Sequence, residues 1–209
     1  MKLPKISNST LTKFKDWLHG NYSDEDMEPV FRIGNLFDAL ITQPDKIDLF
    51  KMKYKHFQDE FIFSKSEYNQ VLAMKKSYDD FLCENPIGKL MRFADYQKTF
   101  KSDYWLNDKI GFSLKSIYDI TIHDTVVIDI NTTHAKKREQ FINGCLYLDY
   151  DRARYLYTQA SNMKQDYIIG VCVLPPYPIH FIDCFREGWM QSGKEKMDNL
   201  LLQYYYYFC

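Results

Sequence analysis

Two runs decide the fold of this chain: Lys115-Ser116-Ile117-Tyr118-Asp119 and, after nine intervening residues, Asp129-Ile130-Asn131-Thr132-Thr133. Residues i and i+2 on a strand point to one face, so Asp129 and Asn131 project together, while Asp119 ends the preceding strand. Two carboxylates thereby converge across a hairpin. Hard divalent ions such as Mg²⁺ take carboxylate oxygens and keep several waters, so a pair of Asp residues is a sufficient protein contribution.

Working outward, three extended runs between 97 and 133 are separated by Asn107-Asp108 and by His123-Asp124. They predict successive antiparallel strands. Val126-Val127-Ile128 is an unbroken apolar run, as expected of a central strand covered on both faces. Upstream, Ser7 to Thr10 precede Leu11, Phe14, Trp17 and Leu18, a helical spacing. An acidic, breaker-rich loop is expected over 22–29. Helices follow over 31–41, which carries Asp38 among apolar residues, and over 66–84 with Ser66 as its cap. Downstream, helices over 134–141 and 149–161, strands over 167–173 and 179–183, and a helix over 188–208 complete the order. This predicts an α+β (mixed α/β) fold with a central mixed sheet flanked by helices. One domain over 1–209 is expected, mainly helical over 1–95, with the sheet core over 96–185 and a C-terminal helix over 186–209.

The 209 residues carry 27 basic and 28 acidic side chains, a net charge of −1, so any nucleic-acid site is a local patch rather than a polybasic coat. With 45% hydrophobic and 26% charged residues, global disorder is excluded. Cys83, Cys145, Cys172, Cys184 and Cys209 show no zinc-ligand spacing and suit a reducing compartment. Met1 to Leu11 lacks a secretory apolar region, and no apolar run approaches the ~18 residues that span a bilayer. A cytoplasmic protein, with no membrane partner, is the expectation. Phosphate-loop, dinucleotide-turn, nucleophile-elbow and zinc-protease motifs are all absent from the sequence.

Six segments together resemble the PD-(D/E)XK nuclease superfamily, and within it the exodeoxyribonuclease VIII (RecE-like) and phage exonuclease branch. Ile6-Ser7-Asn8-Ser9-Thr10-Leu11 looks like its opening Ser-x-Ser-x-Leu, and Phe31 to Pro44 like its Gly-x-x-x-His-x-x-x-x-x-Pro helix. Lys115 to Asp119 resembles the strand of the first catalytic Asp, and Val126 to Thr133 the Asp-x-Lys-Thr-Thr strand. Tyr150 to Tyr157 is similar to the Tyr-Asp-x-Gln-x-x-x-Tyr helix, and Pro175-Pro176-Tyr177 to a late turn. The resemblance implies a restriction-endonuclease-like core. It also implies a Mg²⁺- or Mn²⁺-dependent DNA exonuclease in phage or bacterial recombination or repair, in a bacterial cell or phage-infected host. Double-stranded DNA ends, a single-strand annealing protein and further copies of the chain would be its partners.

The chain departs from that pattern at three functional positions. Asp38 stands where the family has His, Asn131 where it has the catalytic Lys, and Ala153 where it has Gln. Asp38, Asp119 and Asp129 then form a three-carboxylate metal pocket, with Asn131 orienting water. Replacing the lysine by a neutral amide is comparable to removing one oxyanion donor, a loss of ~10²–10³ in rate. Lys115, of the same strand parity as Asp119, or Lys136, Lys137 and Arg138 offer a substitute charge. These cations, with Arg152 and Arg154, are also candidate DNA-phosphate contacts, against the alternative of solvated helix faces. A second expectation is a catalytically degenerate member that works as a DNA-binding or protein-interaction module.

Overall fold

The computed structural model describes residues 3–21, 28–56, 59–123, 125–161 and 163–209. A short strand β1 (Lys5–Ile6) leads into helix α1 (Asn8–Leu18), closed by Ser7. The Ser7 hydroxyl accepts from the Thr10 amide, and the Thr10 hydroxyl accepts from the Ser7 amide, which satisfies two donors that a helix start leaves orphaned. Helix α2 (Glu28–Thr42) follows. Of the loop expected over 22–29, residues 22–27 lie outside the described chain, and the last two belong to this helix.

A small antiparallel sheet, β2 (Ile47–Asp48), β3 (Lys53–His56) and β4 (Asp59–Ile62), comes next and was not expected. Helix α3 (Lys65–Glu84) is capped by Ser64 rather than Ser66. The reason is local: Ser64 has a glutamate three residues on, and Glu67 accepts from the Ser64 amide while the Ser64 hydroxyl accepts from Glu67.

The principal sheet uses β5 (Ala94–Trp105), β6 (Gly111–Ile122) and β7 (Val126–Thr133). After helices α4 (Arg138–Tyr147) and α5 (Tyr150–Ser161), strands β8 (Gln165–Cys172) and β9 (Ile179–Asp183) complete it, and helix α6 (Trp189–Phe208) ends the chain. Helix α4 starts four residues later than expected because the Gln140 side chain accepts from the Lys136 and Lys137 amides and caps the helix there. Strands β5, β6 and β7 are successive antiparallel neighbours, β7 and β8 are parallel, and β9 returns antiparallel. The sheet is mixed and flanked by helices, as expected.

Ile120, Ile122, Ile128, Ile130, Ile169 and Val171 pack under α2 and α3 on one face. On the other, Phe112 and Leu114 meet Leu11, Leu156, Met197 and Leu201 of α1, α5 and α6. The aromatic end of α6 packs in part: Tyr204 and Phe208 lie edge-on to Phe14, at 5.2 and 5.6 Å between ring centres, while Tyr206 and Tyr207 are exposed. Among the described residues no helix is long and apolar enough to cross a membrane.

Strand β6 carries the feature that positions the site. One edge is paired with β5 from Gly111 to Ile122, with a break at Asp119. Among the described residues the other edge pairs with β1 at Ser113 and Leu114 and with β7 at Ile120 to Ile122. Residues 115–119 lie between those two partners. Asp119 is thus not the end of its strand, as the sequence suggested, but the point where β6 and β7 part.

Candidate active site

At this fork the Asp119 carboxylate replaces a missing ladder bond: its Oδ2 accepts from the Ile130 amide at 2.9 Å. Its Oδ1 accepts from Gln97 Nε2 at 3.3 Å, and the same nitrogen lies 3.4 Å from Thr42 Oγ1. Thr42 in turn donates to the Asp38 carbonyl at 3.0 Å and lies 3.4 Å from the Asp38 carboxylate. Asp38 therefore reaches Asp119 through two intermediary side chains.

Asp129 and Asn131 do project together, toward α5. Tyr150 donates its hydroxyl to Asn131 Oδ1 at 3.2 Å, and Asp129 Oδ2 pairs with Arg154. That guanidinium is 1% exposed and also holds Asp166 of β8, at 2.8 Å from Nε and 2.7 Å from Nη2. The rings of Tyr118 and Tyr157 flank it, 5.3 and 5.2 Å away. The remaining Asp129 oxygen, Oδ1, is buried and meets no hydrogen-bond donor.

Burial, and then the charges of Asp129 and Asp38, push the Asp119 carboxyl well above the usual range. Burial also pushes Asp38 up to about 6, opposed by Thr42 and reinforced by Asp129. Crowded carboxyls of raised pKa beside an orphaned carboxylate oxygen are short of positive charge. This donor set suits a hard divalent cation held by Asp119 and Asp129, with waters completing its shell. The three-carboxylate pocket is a different matter. Among the described residues no three His, Cys, Asp or Glu side chains come together as a ligand group, although Asp38 lines the same cleft as Asp119 with its carboxylate 3.4 Å from Thr42.

A cleft of about 760 Å³ opens beside Asp119, between Ser9, Thr12 and Lys13 of α1 and Lys115, Ser116 and Asp119 of β6. Asp38 and Gln97 also line it, and Asp129 does not. Lys115 is exposed on this wall, directly across the β5–β6 ladder from Lys101. Lys136, Lys137 and Arg138 are exposed at the start of α4, where Arg138 pairs with Glu187. None of the three carboxylates pairs with Lys115 or Lys136.

Arg152 and Arg154, expected as phosphate contacts, are both buried at 1% exposure and correct that expectation. Arg152 donates from Nη2 to Asn8 Oδ1 at 3.1 Å and Thr12 Oγ1 at 2.7 Å, and lies 3.6 Å from Asp149. It fastens α1 to α5 and so places one wall of the cleft. Both guanidinium groups are directed at partners inside the protein, Arg152 at Asn8, Thr12 and Asp149 and Arg154 at Asp129 and Asp166, although Arg152 Nε and Nη1 meet no hydrogen-bond acceptor.

Gln97, Thr42, Tyr150 and the internal role of Arg154 were not foreseen. A signal existed for Arg154: Tyr150-Asp151-Arg152-Ala153-Arg154-Tyr155 lacks an apolar stripe, yet the helix lies between two strand segments that need cover.

With this geometry in view, the protein can be set beside known ones. A candidate exonuclease of Eubacterium rectale, known from its crystal structure, shares the fold with a TM-score of 0.54 at 14% identity, over 88% of this chain and 68% of its own. An alkaline exonuclease of Laribacter hongkongensis aligns at 11% identity and a TM-score of 0.35, over 98% and 91% of the two chains. No protein-family model and no curated protein sequence matches the chain. The first likeness establishes the architecture alone, an α+β fold with a mixed sheet flanked by helices.

Proposed function

We propose that this chain is a divalent-cation-dependent nuclease that hydrolyses phosphodiester bonds in DNA, acting at duplex ends. One observation carries the reading: Asp119 and Asp129 lie within electrostatic reach of each other where β6 and β7 part, one Asp129 oxygen is left without a donor, and a cleft with lysines on both walls opens beside Asp119. Two carboxylates next to a cationic groove are what a polyanionic ester substrate and its cation need. A Mg²⁺ or Mn²⁺ ion, when bound, supplies Lewis acidity at the scissile phosphate. Asp119 and Asp129 hold that ion, and Asp38 adds negative potential from behind Thr42. Asn131, its Oδ1 engaged by Tyr150, keeps an amide donor with which to orient water. Lys13 and Lys115 hold DNA phosphates in the cleft. The exodeoxyribonuclease VIII and phage exonuclease branch, with its recombination setting, annealing partner and self-association, is the finer form of this proposal, supported by the six-segment resemblance.

A second reading is favoured by a specific pair, Asp129 with Arg154. An internal guanidinium on a would-be ligand, together with Asn131 in place of lysine, suits a nuclease fold that binds DNA without cutting it. Degradation of end-labelled linear duplex DNA with Mg²⁺ or Mn²⁺ separates the two. Loss of label that Asp119→Asn and Asp129→Asn abolish supports the nuclease. Tight DNA binding with intact label in every sample overturns it in favour of the second reading.

A further inference from the structure

Gln97 sits in the middle of β5 with a backbone φ of +53°, a conformation that residues with a side chain seldom adopt. Its neighbours Tyr96 and Lys98 pair regularly with Ile120 and Tyr118, so the irregularity falls on the one residue opposite Asp119. Strain of this kind persists only where surrounding contacts over-determine it, and here the contacts are those of the carboxylate itself. The two hydrogens of the Gln97 amide meet two acceptors, Asp119 Oδ1 and Thr42 Oγ1. From Thr42 the chain of contacts continues to Asp38.

Asp119 is thereby gripped from two sides, by the β7 backbone at Oδ2 and by Gln97 at Oδ1. Each grip uses one of the roughly four lone-pair sites of a carboxylate, which leaves the others to the cleft that Gln97 also lines. Without the amide, the hydrogen bond from the Ile130 amide remains to hold the Asp119 carboxylate.

We infer that Gln97 is a positioning residue: its left-handed backbone exists to aim an amide that fixes the Asp119 carboxylate for a divalent cation and ties it, through Thr42, to Asp38. The inference rests on the nuclease reading of Asp119 and Asp129. Partners that orient a metal ligand are worth ~10–100-fold in metal affinity when removed.

The test measures Mn²⁺ binding to the full chain, from the loss of the free-ion electron paramagnetic resonance signal, alongside the thermal midpoint of the metal-free protein. Gln97→Gly keeps the backbone conformation, which glycine adopts without strain, and removes the amide. It should weaken Mn²⁺ about 10–100-fold while leaving the midpoint within a few degrees of the parent. Thr42→Val should weaken Mn²⁺ to a smaller extent, and Asp119→Asn should abolish binding. If Gln97→Gly binds Mn²⁺ as tightly as the parent, or loses affinity only in step with a collapsed midpoint, the positioning role is overturned and the nuclease reading stands. If the parent binds no Mn²⁺, or Asp119→Asn binds it equally well, the nuclease reading fails and this inference falls with it.

Discussion

Arg154 of α5 and Asp129 of β7 form an ion pair behind the fork of the sheet, and the same guanidinium clasps Asp166 one strand further on. The pair sets the charge state of the whole region, because Arg154 is fully enclosed and cannot exchange its partners for water. Truncating it strands two carboxylates without a counter-ion. Arg154→Met should therefore destabilise the protein by ~3–5 kcal/mol, measured by urea unfolding. Arg154→Lys should recover only part of that, since an ammonium lacks the planar fork that spans two acids. Parental stability in Arg154→Met would show that the two acids are neutral in the folded chain.

The acid on the far side of that guanidinium gives a pH signature. Burial outweighs the Arg154 partner and pushes the Asp166 carboxyl up to about 6. The folded chain then holds this proton more tightly than the unfolded chain, whose aspartate titrates near 3.9. Its contribution to stability is fully present below about pH 3.9 and is lost as pH rises through about 6. The urea midpoint of Asp166→Asn, compared with the parent, should gain ground between pH 4 and 7. A difference between the two proteins that does not vary with pH would rule this out.

Burial also sorts the cations by their effect on DNA. Lys13 and Lys115 line the cleft, so Lys13→Ala and Lys115→Ala should each lower the slope of log affinity against log salt by roughly 0.9. Anisotropy of a labelled duplex over a salt series reads this directly. Lys136→Ala with Lys137→Ala asks whether the footprint extends to the start of α4. Arg152 is spent on Asn8 and Thr12 and places the α1 wall, so its replacement should lower the urea midpoint as well, a loss that Lys13→Ala and Lys115→Ala should not show.

Restoring a positive charge at position 131 is the sharpest chemical probe. Asn131→Lys breaks the bond from Tyr150 but brings an ammonium to the strand that carries Asp129. The rate of DNA degradation should rise ~10²-fold or more, by analogy with restoring one charge-stabilising donor, and Asp119→Asn should cancel the gain. An unchanged rate would mean that the charge is already supplied by another residue.

The sheet was legible because its signals are local. The extended runs of β-branched and aromatic residues between 97 and 133, with the apolar run Val126-Val127-Ile128, mark strands whatever else the chain does. The pairing of Asp129 with Asn131 on one face followed from strand parity alone. Where β6 and β7 separate is not local, since it depends on α2 packing over Ile120 and Ile128, and so Asp119 was placed at a strand end. Gln97 was invisible for a similar reason: nothing in Tyr96-Gln97-Lys98 marks a left-handed residue. Arg152 and Arg154 were read as surface charges because arginine usually is one, and only the acids brought by α1, β7 and β8 make their burial affordable. The strand pattern Lys53-Tyr54-Lys55-His56 does alternate, and the small sheet could have been read from it.

The split edge of β6 has a consequence for how this protein can be altered. Extending β1 alongside 115–119 would zip the open stretch, add ladder bonds and remove a bare edge, all changes that engineering for robustness favours. The same change would fill the doorway between α1 and β6 through which a ligand reaches Asp119. Toughness and access therefore compete for a single run of backbone amides. A hardened variant that keeps its function must gain its strength elsewhere.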